Sequence, residues 1–279
     1  MIAVLIAGAV AMVLSLFGTR MLISFFDRIG KGQPILGSDD HGPVHHMKKQ
    51  GTATMGGIAI MLSAFIGWAV AHLRGGIALS DQAMIMWAIC GVLSVIGFLD
   101  DFLKVRNAHN RGIFWKKKGY ITFGLVVVMM TWLLLGTGVS ETLSFTRFDF
   151  PGWNLSPILW VVWTSVMVWA TTNAVNVTDG LDGLAAGSAL FGFLAFTVIA
   201  YWAFRNPDIY NLVNPLDLAV FSAAMAGACG GFLWWNAAPA RIFMGDVGAL
   251  GIGAALGLLA VTTNTHLFIT LKKEGGNHG

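Results

Sequence analysis

Long apolar runs alternate with short polar stretches along this chain, and each run is close to the roughly 20 residues a helix needs to cross a hydrocarbon core about 30 Å thick. Eight such runs are found, at approximately Ile2–Phe26, Met55–Leu73, Ala83–Leu99, Tyr120–Val139, Pro157–Val175, Leu184–Phe204, Leu216–Trp235 and Val247–Leu271. They predict an all-α, polytopic membrane bundle of about eight helices, organised as a single transmembrane domain over residues 1–271 with a polar tail at 272–279. No internal repeat or soluble domain interrupts the pattern. The polar breaks carry the information, above all NAVNVTDGLDGLAAG at Asn173–Gly187.

Composition sharpens the class. Apolar residues make up 56% and charged residues 11%, whereas about a quarter of residues are charged in an average soluble domain. Cys90 and Cys229 each sit inside an apolar run, so they read as packing residues, with neither a disulfide framework nor a CxxC metal motif. A net charge of +3 is too small to argue for nucleic acid. The first run has no basic residue before it and no small-residue cleavage site after it, so it reads as a retained span.

The placement of charge gives an orientation. Of the 17 Lys and Arg, 12 lie at or after the ends of runs one, three, five and seven: Arg20, Arg28, Lys31, Lys48, Lys49, Lys104, Arg106, Arg111, Lys116, Lys117, Lys118 and Arg241. The positive-inside rule assigns that side to the cytoplasm. Asp100, Asp101, Asp179, Asp182 and Asp246 fall on the same side. The loop between runs four and five, with Trp153 and several Phe, suits an interfacial aromatic belt or a short hairpin.

Four stretches can carry chemistry. In GFLDDFLK, Gly97–Lys104, an adjacent carboxylate pair at the negative end of a helix needs a cation, and Lys104 at i+4 from Asp100 and i+3 from Asp101 supplies part of it. In the Asn173–Gly187 stretch, Asn176, Asp179 and Asp182 follow at spacings of three, so a helix would put them on neighbouring parts of one face. That exceeds what N-terminal capping requires. Gly180 and Gly183 would let a ligand approach the backbone. WWNAAPARIFMGDVGALGIG, Trp234–Gly253, places Asp246 before a small-residue helix, and Gly253 and Gly257 form a GxxxG pair of the kind used for close helix packing. GPVHHMKKQGTATMGG, Gly42–Gly57, and WKKKG, Trp115–Gly119, bring lysines and threonines to helix starts, where phosphates are favoured; the positive-inside signal accounts for most of those lysines by itself. His45 and His46 lack any paired-histidine metal spacing. Carboxylates able to hold Mg²⁺, facing lysines able to hold phosphate, point to phosphoryl transfer from a soluble nucleotide donor to a lipid.

In this order and spacing, GPVHHMKKQGTATMGG, GFLDDFLK followed by RGIFWKKK, NAVNVTDGLDGLAAG and WWNAAPARIFMGDVGAL closely resemble the bacterial phospho-N-acetylmuramoyl-pentapeptide transferases. These belong to the polyprenyl-phosphate N-acetylhexosamine-1-phosphate transferases. The likeness runs to about Leu271. It implies a Mg²⁺-dependent transfer of phospho-MurNAc-pentapeptide from UDP-MurNAc-pentapeptide to undecaprenyl phosphate, giving lipid I and UMP, at the cytoplasmic face of the bacterial cytoplasmic membrane.

By this resemblance Asp246 would ligate Mg²⁺ and Asp100 or Asp101 would deprotonate the lipid phosphate. Lys49, Thr54, Lys104 and Lys118 would hold phosphates or the nucleotide. Asn176, Asp179 and Asn236 would line the catalytic cleft, with Gly180, Leu181, Asp182 and Phe243 near the uridine. The resemblance leaves a homodimer open and implies no nucleic-acid partner.

The sequence departs from the family pattern in places. Ala53 stands for a proline, Val247 for a threonine and Ala249 for a serine. The family has ten spans and a histidine-rich motif between the last two, whereas this sequence ends at LKKEGGNHG after the eighth, which puts the activity of a chain of this length in doubt. Two other readings stay open: a relative that transfers GlcNAc-1-phosphate, and a transporter, whose carboxylates should lie near the bilayer midplane.

Overall fold

The computed structural model describes residues 1–29, 53–75, 77–107, 115–143, 152–210 and 212–265. In lipid every backbone N–H and C=O must find a partner within the chain, so apolar runs of this length become helices. The elements are α1 (Ile2–Ile29), α2 (Gly57–Gly75), α3 (Asp81–Asn107), α4 (Trp115–Thr137), β1 (Thr142–Leu143), β2 (Trp153–Asn154), α5 (Pro157–Thr178), α6 (Leu184–Arg205), α7 (Pro215–Asn236) and α8 (Gly245–Thr262). All eight helices are long and apolar enough to cross a membrane. The expected hairpin is present as β1 and β2, antiparallel, with Thr142 opposite Asn154 and Leu143 opposite Trp153.

Helix starts follow local chemistry. Ser156 caps α5, its side chain accepting from the Leu159 amide, and Pro157 occupies the first turn, where its missing N–H costs nothing. Pro215 opens α7 in the same way.

Two helices form the centre. The apolar windows of α7 and α8 are 78% and 83% buried, against 28% for α1, α4 and α5. α7 packs among α1, α2 and α6, while α8 packs among α2, α3 and α5. Side chains hydrogen-bond across these seams: Ser15 Oγ donates to the Ala228 carbonyl at 2.7 Å and Ser222 Oγ to the Phe193 carbonyl at 2.6 Å. Gly253 and Gly257 do the packing work their spacing suggests. A Cβ on Gly253 would lie 2.5 Å from Thr172 Cα, and one on Gly257 3.0 Å from Val168 Cα, so α5 crosses α8 at nearly backbone contact. Cys90 and Cys229 are free and buried, as expected.

Two expectations about helix geometry need correction. Asp179 and Asp182 do not share a helix face: α5 ends at Thr178, α6 begins at Leu184, and residues 179–183 form a turn between them. Gly183 at φ +75° provides the left-handed residue that redirects the chain into α6. Nor does α3 stop at the aspartates; it continues to Asn107, so Asp100, Asp101 and Lys104 project from a continuous helix. α8 is described as far as Thr262, and the expected span end at Leu271 with the tail beyond it lies outside the described residues.

Candidate active site

The N-terminus of α8 is the focus of the charged end. Met244 at the N-cap position makes no side-chain cap, and carboxylates from elsewhere in the chain face this helix start instead. Asp101, on α3, accepts a hydrogen bond from the Val247 amide through Oδ2 at 3.2 Å. Asp179, in the turn after α5, lies beside the Gly245 amide, which favours its ionised form. A free amide at this helix start is thereby satisfied, and the positive end of the helix dipole offsets part of the carboxylate charge. Gly245 has φ +73°, and a side chain there would run into the Asp101 carboxylate. Glycine is required on both counts.

Asp246 in the first turn of α8 faces Asp100 and Asp101 on α3. One oxygen from each of the three lies within 4.8 Å of the others. All three are buried, at 2%, 4% and 9% relative exposure for Asp100, Asp101 and Asp246. Two lysines bridge them. Lys104 Nζ is 2.7 Å from Asp100 Oδ2, 2.9 Å from Asp246 Oδ2 and 3.7 Å from Asp101 Oδ1. Lys118, entering from the first turns of α4, lies 3.2 Å from Asp100 Oδ2 and contacts Asp246 Oδ2. Counting Asp179, four carboxylates meet two ammonium groups. A donor set of hard oxygen atoms with a surplus of negative charge suits Mg²⁺, which is commonly held by one or two carboxylates together with substrate phosphates.

Burial raises the Asp179 carboxyl to about 7, helped by the negative charges of Asp246, Asp101 and Asp182, while the Gly245 amide pulls the other way. A carboxylate poised near neutrality beside a cluster of acids is a common feature of active sites.

The residues expected at the site divide into groups. Asp100, Asp101, Lys104, Lys118, Asp179 and Asp246 converge. Asn176 lies in the last turn of α5 just before Asp179. Thr54 is buried at the edge of the site, where the strand-like segment Ala53–Met55 runs beside Ile242–Met244: the Phe243 amide donates to the Ala53 carbonyl at 2.8 Å, and the Gly56 and Gly57 amides donate to the Phe243 and Met244 carbonyls at 3.0 and 2.9 Å. Phe243 is half-buried on that segment. Gly180 and Leu181 are exposed at the tip of the 179–183 turn. Asp182 folds back so that its Oδ2 accepts from the Ala240 amide at 3.2 Å. Asn236 is buried at 2%, and backbone groups take both ends of its amide. Lys49 lies outside the described residues. The amides of Gly245 and Val247 as partners of Asp179 and Asp101 were not foreseen; Gly245 standing next to Asp246 at a helix start was the available signal.

Residues 83–264 match the family model described as glycosyl transferase family 4. A phospho-N-acetylmuramoyl-pentapeptide-transferase from Beutenbergia cavernae is 38% identical, over 97% of this chain and 80% of the relative. The chain belongs to glycosyl transferase family 4. Within that family it is similar to further proteins bearing the same transferase name: one from Streptomyces griseus at 38% identity, covering 96% of this chain and 79% of the relative, and one from Mycobacteroides abscessus at 40%, covering 95% and 77%. The family match covers the site aspartates of α3 and α8 and the turn between α5 and α6. As a family 4 protein with Asp100, Asp101, Asp179 and Asp246 gathered at one end of the bundle, it differs from the midplane arrangement expected of a transporter.

Proposed function

We propose that this membrane protein transfers phospho-MurNAc-pentapeptide from UDP-MurNAc-pentapeptide to undecaprenyl phosphate, releasing UMP and forming lipid I, on the cytoplasmic face of the bacterial cytoplasmic membrane. The observation that carries the reading is the convergence of Asp100, Asp101 and Asp246 with Lys104 and Lys118 at one end of the bundle, in a chain whose relatives bear that transferase name.

A lipid phosphate oxygen bonds to the donor's β-phosphorus, and the bond from that phosphorus to the bridging oxygen breaks, with UMP as the leaving group. Both partners are anions, so charge neutralisation and in-line placement dominate the barrier. Asp246 would hold Mg²⁺, with Asp100 and Asp101 lining the same site, and the ion when bound would neutralise diphosphate charge. Lys104 and Lys118, on flexible stems beside the carboxylates, would steady the phosphates on both sides of the breaking bond. Asp100 or Asp101 would take the proton from the lipid phosphate. Asp179 and Asp182 would present the turn with Gly180 and Leu181 to the uridine, with Phe243 on the facing segment.

Purified protein in lipid nanodiscs with UDP-MurNAc-pentapeptide, undecaprenyl phosphate and Mg²⁺ should release UMP and accumulate lipid I. No UMP release, or equal turnover of UDP-GlcNAc, contradicts the reading. Exchange of labelled UMP into the donor without lipid would indicate a covalent aspartyl-phosphate route; its absence would indicate direct attack.

A further inference from the structure

Asn236, the last residue of α7, is placed by the resemblance on the wall of the cleft, yet backbone groups engage both ends of its buried side chain. Oδ1 accepts from the Gly183 amide at 3.0 Å, and Nδ2 donates to the Ile242 carbonyl at 2.9 Å. An amide N–H can only donate and a carbonyl can only accept, so the two partners also fix the orientation of the carboxamide. The residue is 2% exposed.

The two partners belong to different halves of the site. Gly183 closes the 179–183 turn that carries Asp179 and Asp182. Ile242 begins the segment that carries Phe243 and leads into Asp246. Hydrogen bonds to Ala53, Gly56 and Gly57 pin that second segment independently through Phe243 and Met244. Among the described residues the turn has no comparable backbone anchoring across the site. Three side chains tie it to backbone across the site: Asp179 beside the Gly245 amide, Asp182 to the Ala240 amide, and Asn236 to the Gly183 amide. Of the three, only Asn236 reaches from the facing side, and its side chain is fully enclosed.

We propose that Asn236 is a positioning residue that sets the gap between the 179–183 turn and the Ile242–Asp246 segment, and thereby the width of the nucleotide side of the cleft, without touching substrate. No other side chain of this length does the same. Aspartate cannot donate to Ile242, glutamine is one methylene too long, and leucine fills the volume but leaves a buried amide and a buried carbonyl without partners. The proposal's kinetic consequence rests on the transferase reading; its structural consequence does not.

The test is hydrogen exchange followed by mass spectrometry on the ligand-free full chain in nanodiscs, wild type against Asn236→Leu. Exchange in peptides covering 179–184 should rise at least tenfold, while peptides from α7 and from 243–247 stay within twofold of wild type. In the same preparations the KM for the UDP donor should rise at least tenfold. Unchanged exchange at 179–184 with a raised KM would make Asn236 a substrate contact and overturn the proposal. Raised exchange at the turn with unchanged kinetics would leave it a structural tie only, and acceleration throughout the bundle would make it a general folding residue; either overturns the proposal as well. Asn236→Ser, which leaves room for a water, carries the same expectation should the leucine variant fail to fold. Absence of UMP release by the wild type would sink the transferase reading and leave the exchange result standing.

Discussion

Asp217 and Asp246 are both carboxylates in the first turn of a central, largely buried helix, and each sits at the positive end of that helix. They occupy opposite ends of the bundle and have opposite surroundings. Asp217 accepts from Trp68 Nε1 at 2.7 Å, from Ser80 Oγ at 2.5 Å and from the Ser80 amide at 3.2 Å, with His72 Nε2 at 3.2 Å. These partners lie on α2 and at the start of α3, so the carboxylate clamps α2, α3 and α7 together. Among the described residues its partners are a tryptophan, a serine and a histidine, with no second acid. Asp246 instead faces two other aspartates across two lysines. Burial of a carboxylate therefore does not mark a site. A braced carboxylate has its oxygens taken by fixed donors, whereas a working one shares its surroundings with like charges and with cations on flexible stems.

The comparison can be broken most severely at Asp246. Asp246→Asn should lower UMP release by about 100-fold or more, the scale on which a single preorganised charge acts in a transition state. Thermal stability should hold, because the change relieves repulsion among the three acids. Asp217→Leu should do the reverse. It strands Trp68 Nε1, Ser80 Oγ and His72 in the apolar interior, so stability should fall by about 3–5 kcal/mol in a chemical-denaturation titration, with turnover per folded molecule unchanged. A variant at Asp217 that keeps its stability and loses turnover would place that end of the bundle in the chemistry.

The smallest effect belongs to Asp179. Its folded-state value of about 7 lies above the ordinary carboxylate value of 3.8. The folded protein therefore binds the proton more tightly, and this group's contribution to stability is lost as pH rises from about 4 through about 7. Melting curves recorded across that range in chelator should show a shallower pH slope in Asp179→Asn than in wild type. An identical slope would mean that Asp179 titrates as an ordinary exposed acid.

Most of the fold was legible in the sequence because lipid leaves an apolar run of 20 residues few alternatives to helix. The helix ends were less legible. α3 runs on past Asp100 and Asp101 to Asn107, since leucine, lysine and valine extend a helix as readily beyond the hydrocarbon as within it. The aspartates and lysines of the site stood out because each is costly near a bilayer and all fell on one side. Their partners did not stand out. Asp101 meets Val247 across 146 positions and Asn236 meets Gly183 across 53, and spacing in sequence says nothing about contacts at that range. The Asp217 brace was missed for the same reason: His72 and Asp217 are single polar residues in apolar surroundings, and only the packing of α2 on α7 pairs them.

The central claim is that the α3–α8 end holds a divalent cation and the opposite end does not. Mn²⁺ binding to the full chain, followed by electron paramagnetic resonance in the absence of nucleotide and lipid substrate, tests it directly. The wild type should bind one ion per chain. Asp217→Asn should bind it unchanged, and Asp246→Asn should bind at least about tenfold more weakly, the lower bound seen even for groups that only support a metal ligand. Undiminished Mn²⁺ binding by Asp246→Asn would contradict the account.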